Sequence, residues 1–432
     1  MKKIKLNKAE WSWVLYDMAY SAYSILATVF LPIYLKVLGK IEGLSNSIST
    51  SHWGYLQSIS TLAIALIAPT IGALSDYRGM KKSMFSSFFF ISIASLFIMV
   101  FSENYYILLF LNLLCAIGFS GSNMIYGSYL IDVTESKRMN YISSLGFGIG
   151  YAGRCLPYVI SIILYYYRPF NISTILAVKI SIILTIVWWI IFTFPFLLNV
   201  KQIYGKNNMP RMVVISSFKS NLITLKKIIK DKNMMLFMSA YFFYNNGVST
   251  IISMSTDFGY DLGISVISLS LALLVTQIIA APSVMVFEKI ARKYSTKFVI
   301  LISICVFTGI CSYAFFIKYS WQFWVMSITV GLVLGTLQAL SKSYFGRMIP
   351  NKNQNGEYFG FFSIFSRYSS ILGPLIIAIF TKLTGNSRYG LLSLVILFVI
   401  GFIILLHVKN IDKSTVNLQY SYIKADNIVD KS

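Results

Sequence analysis

Three ionisable residues, Asp17, Arg154 and Arg367, interrupt stretches that are otherwise apolar. A charge at the centre of an apolar span costs about 2.5 to 3.5 kcal/mol on insertion scales, so by default it marks a binding site or pathway. The two arginines present planar donors suited to a carboxylate or another anion. Asp17, with Tyr16 and Tyr20 beside it, suits pairing with an arginine, binding an ammonium group or carrying a coupling proton. Tyr244, Asn245, Asn246, Gln277 and Gln338 add neutral hydrogen-bonding groups for a polar solute. For each of these the competing role is a bond between helices or to backbone carbonyls. A second group occupies the polar stretch from Gly72 to Lys82, where Gly72, Asp76, Arg78, Gly79 and Lys81 lie between two long apolar runs. Such a loop is tolerated only at an aqueous face.

These residues must be positioned by membrane-spanning helices. The chain has 432 residues, 56% hydrophobic and 12% charged, with a mean hydropathy of +0.70, whereas soluble domains carry roughly 25% charge. Runs of about 20 apolar residues are needed to cross a bilayer core. Twelve such runs are expected, near 11–38, 52–75, 83–101, 105–131, 142–167, 173–199, 233–255, 265–287, 298–317, 320–341, 358–381 and 389–408. The first is too long for a signal-peptide core and is expected to be retained. The opposite-side loops hold Lys36, Lys40, Arg168, Lys318, Lys382 and Arg388, while most of the 37 Lys and Arg fall on the side of the termini. The positive-inside rule then predicts both termini in the cytoplasm, and the net charge of +22 reads as topology rather than nucleic-acid binding.

The polar stretch Lys201 to Lys232 divides the spans six and six. The expected fold is an all-α integral membrane protein with twelve transmembrane helices in two six-helix bundles. Residues 1–200 and 233–410 form the bundles, 201–232 a basic linker and 411–432 a cytoplasmic tail. In the linker, Phe218, Leu222, Leu225 and Ile229 recur at helical spacing against Lys219, Lys226 and Lys230, which predicts an amphipathic helix on the anionic inner leaflet. Cys115, Cys155, Cys305 and Cys311 lie inside apolar runs, and His52 and His407 stand apart at span ends, so no metal or other cofactor is expected.

The motif Gly72, Leu74, Asp76, Gly79 and Lys81 resembles the loop after the second helix of major facilitator transporters. Longer stretches resemble the vacuolar-effluxer-like branch of that superfamily, the autophagy-related amino-acid exporters and their bacterial relatives. They are Leu15 to Ala22, Ser143 to Gly153, Tyr244 to Thr250, Gln338 to Pro350 and Phe359 to Phe362 with Gly373-Pro374. Tyr20, Asn246 and Arg154 depart from the asparagine, aspartate and small residue usual in that branch. The resemblance implies the major facilitator fold and secondary transport of a small solute, an amino acid or other carboxylate, with export as the implied direction. It also implies that Asp76 helps lock the two bundles on the inner side.

A proton or sodium ion is a candidate coupling partner, a monomer is expected, and a bacterial inner membrane fits the compact loops. The competing class is a non-transporting sensor or scaffold that keeps the fold. An enzyme lacks a paired acid, a histidine cluster or a nucleophile with a base. An ATP-driven pump lacks a phosphate-binding GxxxxGK[ST] loop.

Overall fold

The computed structural model describes residues 5–207, 213–384 and 387–412. Twelve long helical segments follow one another, with one further helix, Val213–Lys230, between the sixth and seventh. In order the spans are Lys8–Ile41, Asn46–Ser75, Met80–Phe101, Tyr105–Val133, Met139–Tyr167 and Thr174–Asn199. They continue with Lys232–Asp261, Val266–Lys293, Thr296–Phe315, Ser320–Met348, Asn355–Thr384 and Ser387–Leu406. Among the described residues, ten helices are long and apolar enough to cross a membrane. Spans 7 and 11, Lys232–Asp261 and Asn355–Thr384, reach 30 residues each. They carry Asn245, Ser249, Ser363 and Arg367 toward an internal cavity. An even number of spans puts the start of span 1 and the end of span 12 on one face, called the terminal face.

The helices start where short polar side chains can take up free backbone N–H groups. Asn7 and Glu10 form a reciprocal capping box at the start of span 1. Ser45, Asn104, Ser173, Ser265 and Ser295 cap spans 2, 4, 6, 8 and 9. Span 1 passes through a π-helical turn at Leu26–Phe30 just before Pro32, which has no N–H to donate, and span 5 ends in another at Ile163–Tyr167.

Two features bring the halves together on the terminal face. Spans 2 and 11 pack backbone to backbone: a Cβ at Gly72 would overlap the carbonyl of Gly356, and one at Gly360 would lie 2.9 Å from the Ala68 oxygen. Small residues permit such close crossing. Spans 5 and 10 are stitched by polar bonds, with Ser143 donating to the Ala339 carbonyl at 2.9 Å and Ser343 to Asn140 Oδ1 at 2.7 Å.

The linker forms a helix as expected, with a largely polar stripe turned to the protein and the apolar positions left outward. Asn221, Thr224 and Ile228 are buried, whereas Leu222 and Ile229 are exposed beside Lys226 and Lys230. Thr224 and Ser220 reach the buried Glu357 carboxylate, and a buried charge needs partners more than leucine needs cover. The expected contributions of Phe218 and Lys219 lie outside the described side chains.

Candidate functional site

A cavity of about 550 Å³ lies between the two halves, lined by spans 1, 4, 5, 7, 8, 10 and 11. A smaller space of about 110 Å³ continues from it, sharing Ser24, Arg154, Ile252, Gln277 and Leu334. Its further lining comes from Thr28 and Val29 of span 1, Ser255 of span 7, Leu269 of span 8 and Phe323 of span 10. Each lies farther along its span toward the face opposite the termini. The cavity therefore extends away from the terminal face.

Of the residues singled out in the sequence, Tyr20, Arg154, Asn245, Gln277, Gln338 and Arg367 line this cavity. Arg154 stands over the Tyr151 ring at 4.5 Å from its centroid, and its Nε is 3.5 Å from the Gly150 carbonyl. Gln338 accepts from the Tyr151 hydroxyl at 2.8 Å, Asn245 donates to the Ser366 carbonyl at 3.3 Å, and Gln277 Oε1 has no hydrogen-bond partner. Arg367 makes no ion pair with any described residue. Arg154 and Arg367, from opposite halves, thus face one space.

The other four candidates are placed behind the cavity wall. Asp17 is buried and accepts from the Tyr126 hydroxyl at 2.6 Å. Span 5 comes so close that a Cβ at Gly146 would overlap its carboxylate. Tyr16 is fully buried among the rings of Tyr20, Phe85, Tyr126 and Phe196. Tyr244 shares a hydrogen bond with Ser341 at 2.7 Å. Asn246 is fully buried, with both amide atoms unpaired among the described residues.

One functional candidate was absent from the sequence reading. Lys342 lines the cavity, because span 10 runs on to Met348 rather than ending near residue 341. At 1.5 Å per residue, it lies about 9 Å inside the helix end. Its signal was a lysine following an apolar run, which reads equally well as the first residue of a loop.

The terminal face is closed by the Gly72 to Lys82 loop. Asp76 accepts from the backbone N–H groups of Gly356 at 2.7 Å and Glu357 at 3.0 Å, so it caps the first turn of span 11. Lys81 is buried between Asp132, at 2.8 Å, and Asn355 Oδ1, at 2.6 Å. Gly79, at φ 83°, makes the left-handed turn that starts span 3. The Arg78 side chain is exposed, and only its backbone N–H is used, donating to the Lys206 carbonyl at 3.1 Å. The linker staples this loop: Lys206 N–H donates to the Asp76 carbonyl at 2.7 Å, and its ammonium pairs with Glu357.

Burial pushes the Asp76 carboxyl up to about 7, against the pull of Lys81 and the two backbone N–H groups, with Glu357 adding to the rise. Opening exposes the group and returns it toward the ordinary value of 3.8. The closed form therefore takes up a proton as pH falls through about 7, and closure weakens as pH rises through that value. A single cysteine at Ser363, in a background lacking the four native cysteines, should react faster from the terminal side at pH 8 than at pH 6, after correction for thiolate fraction. That rise should disappear in Asp76→Asn.

The family model described as "Vacuole effluxer Atg22 like" matches residues 6–131 and 131–419. The chain belongs to this Atg22-like family. The MFS-type transporter YxiO of Bacillus subtilis (strain 168) is 41% identical over 421 residues, covering 96% of this chain and 98% of the relative. Autophagy-related protein 22 of Coccidioides immitis is 25% identical over 291 residues, covering 61% of this chain and 48% of the relative. Two solved structures share the fold. The human organic anion transporter MFSD10 aligns with TM-score 0.74 at 13% identity, covering 92% of this chain and 99% of that one. FucP, a major facilitator transporter in the outward conformation, aligns with TM-score 0.71 at 12% identity, covering 93% and 98%.

In this Atg22-like transporter the two halves contribute unequally to closure. The second-half counterpart of the Gly72 to Lys82 loop follows span 8; aligned on Gly79 and Ser295, the residues that start the next spans, Arg292 takes the position of Asp76. Arg292 pairs with Glu288 one turn earlier at 2.7 Å and covers the Tyr141 ring. Across the seam there, Asn140 donates to Thr296 Oγ1 at 2.7 Å, and Thr296 and Arg347 also bond Asp412. Asp76, by contrast, crosses directly to a helix N-terminus of the other half.

Proposed function

We propose that the chain carries a small carboxylate-bearing solute, amino acids included, by alternating access. The observation that carries this reading is the set of three cations, Arg154, Lys342 and Arg367, facing one cavity with Asp17 as the acid in its wall. Three cations with one acid nearby leave an excess of positive charge, which is costly at membrane depth, and an anionic solute supplies the missing negative charge. The 550 Å³ space falls within the range of about 300 to 1,000 Å³ typical of small-molecule sites. The neutral groups of Tyr20, Asn245, Gln277 and Gln338 are placed to fix the remainder of the solute. The solute is moved without chemical change.

In this reading the terminal face is cytoplasmic, in a bacterial inner membrane, as the lysine-rich loops and tails favour. The chain acts as a monomer, with the exposed Lys226 and Lys230 of the linker helix against anionic headgroups. Proteoliposomes preloaded with unlabelled amino acids or small organic anions should accumulate the matching radiolabelled solute by counterflow. Folded protein that gives no counterflow with any of these solutes would end the proposal.

A further inference from the structure

Lys342 differs from the two cavity arginines in what holds it. Its ammonium lies 4.3 Å from the centroid of the Tyr126 ring, 4.8 Å from Trp13 and 5.7 Å from Phe147. These rings belong to spans 4, 1 and 5, all in the first half, whereas Lys342 belongs to span 10 in the second. No described carboxylate forms an ion pair with it. The nearby acid, Asp17, sits behind Tyr126, accepts its hydroxyl at 2.6 Å and attracts the ammonium through the cage wall without reaching ion-pair distance. The cage is rigid: Trp13 stacks on Tyr126 with centroids 4.5 Å apart, and its indole N–H donates to the Tyr126 carbonyl at 3.2 Å.

The cage also occupies a decisive level in the protein. One turn toward the open end, Gln338 bonds Tyr151 across the same pair of spans. On the terminal side, Ser343 bonds Asn140. Lys342 is therefore both a cavity-lining cation and a rung of the seam that keeps the terminal face shut.

We propose that this cage is a latch released by the solute. With the cavity empty, the rings of the first half hold the Lys342 ammonium by attraction to their negative faces. A carboxylate entering between Arg154 and Arg367 offers that ammonium a charge-assisted hydrogen bond, a stronger partner than a ring face in a site sheltered from water. Lys342 leaves the rings, the seam between spans 5 and 10 loses a rung, and the terminal face is free to part. A solute with no anionic group leaves the latch closed, so the cage also selects for the carboxylate. The trigger rests on the carboxylate reading above, whereas the latch itself does not.

The test uses the full chain in lipid nanodiscs with spin labels at Lys82 and Asn351, both exposed on the terminal face. Pulsed electron–electron distances then report the ratio of open to closed forms. Without solute, Lys342→Gln and Phe147→Leu should each raise that ratio about fivefold. The double variant should open no further than Lys342→Gln alone, and Lys342→Arg, which retains a cation for the rings, should remain closed. Additive effects, or no opening in either single variant, would overturn the latch. Acetate, succinate, L-alanine and L-glutamate are then added in turn. A solute that opens the wild type but leaves Lys342→Gln unchanged supports release, whereas one that shifts both by the same factor overturns it. If none of the four shifts the wild type while the Lys342–Phe147 coupling holds, the solute-release half is overturned together with the carboxylate reading, and the bare latch stands.

Discussion

Asp76→Asn is expected to open the terminal face of the empty transporter. In the closed form the carboxylate accepts two backbone N–H bonds, from Gly356 and Glu357, at the positive end of span 11. Leaving one of these buried N–H groups without an acceptor costs about 1 to 3 kcal/mol, whether Asp76 is charged or neutral. An asparagine retains one acceptor oxygen and turns an NH2 group toward a second donor. A protonated carboxyl can rotate its single hydrogen away, but an amide cannot hide both of its own. Losing one such bond should shift the open-to-closed ratio roughly 10- to 100-fold toward the open form. Labelling of a Ser363→Cys reporter from the terminal side at pH 7.5 reads this directly. A labelling rate equal to that of the same reporter with Asp76 intact would show that closure rests elsewhere. The Gly72–Gly356 crossing, the Lys81–Asp132–Asn355 cluster, the bonds between spans 5 and 10 and the Lys342 cage would then carry it.

Arg367→Ala is expected to separate stability from transport. Its guanidinium faces the cavity with no ion pair among the described residues, so the empty protein bears the cost of an unpaired cation at membrane depth. Removing it should leave the melting temperature unchanged or raise it by a few degrees. The same change removes a charge-assisted contact to a carboxylate, and half-saturating solute concentration in counterflow should rise about 10- to 100-fold. Unchanged counterflow would take Arg367 out of the site. A large fall in melting temperature would instead assign it to holding span 11 in place.

The spans were legible in the sequence because the bilayer imposes one simple requirement, about 20 apolar residues with all backbone bonds made internally. The placement of the Gly72 to Lys82 loop was legible for a related reason. A polar loop with Asp76 between two apolar runs can sit only at an aqueous face, and the role implied for it requires a helix end opposite, which the first turn of span 11 provides. Arg154 and Arg367 were legible because charge inside an apolar run is costly wherever it points.

Lys342 was not legible, since its depth depends on where span 10 ends. A lysine after an apolar run fits a loop as well as a helix that continues into a cavity. Nor could the sequence separate Tyr20, which lines the cavity, from Tyr16, which is packed behind it. Both lie on one helix beside Asp17, and only the neighbouring spans decide which face of that helix meets the space. The linker's helix was legible from its spacing, whereas only the structure showed that the buried Glu357 takes Ser220 and Thr224 as partners.

The sequence by itself determined the class of molecule, the number and order of spans, and the chemical types available to a site. Those follow from hydropathy, charge and spacing, which are local along the chain. Only the tertiary structure decided which groups share a cavity. It brought Arg154, Lys342 and Arg367 together from three spans, withdrew Asp17 behind Tyr126 and set Lys342 among rings of the other half. Contacts between residues far apart in sequence depend on how each helix is rotated and how closely it crosses its neighbours. That is set by packing across the whole bundle rather than by any one segment.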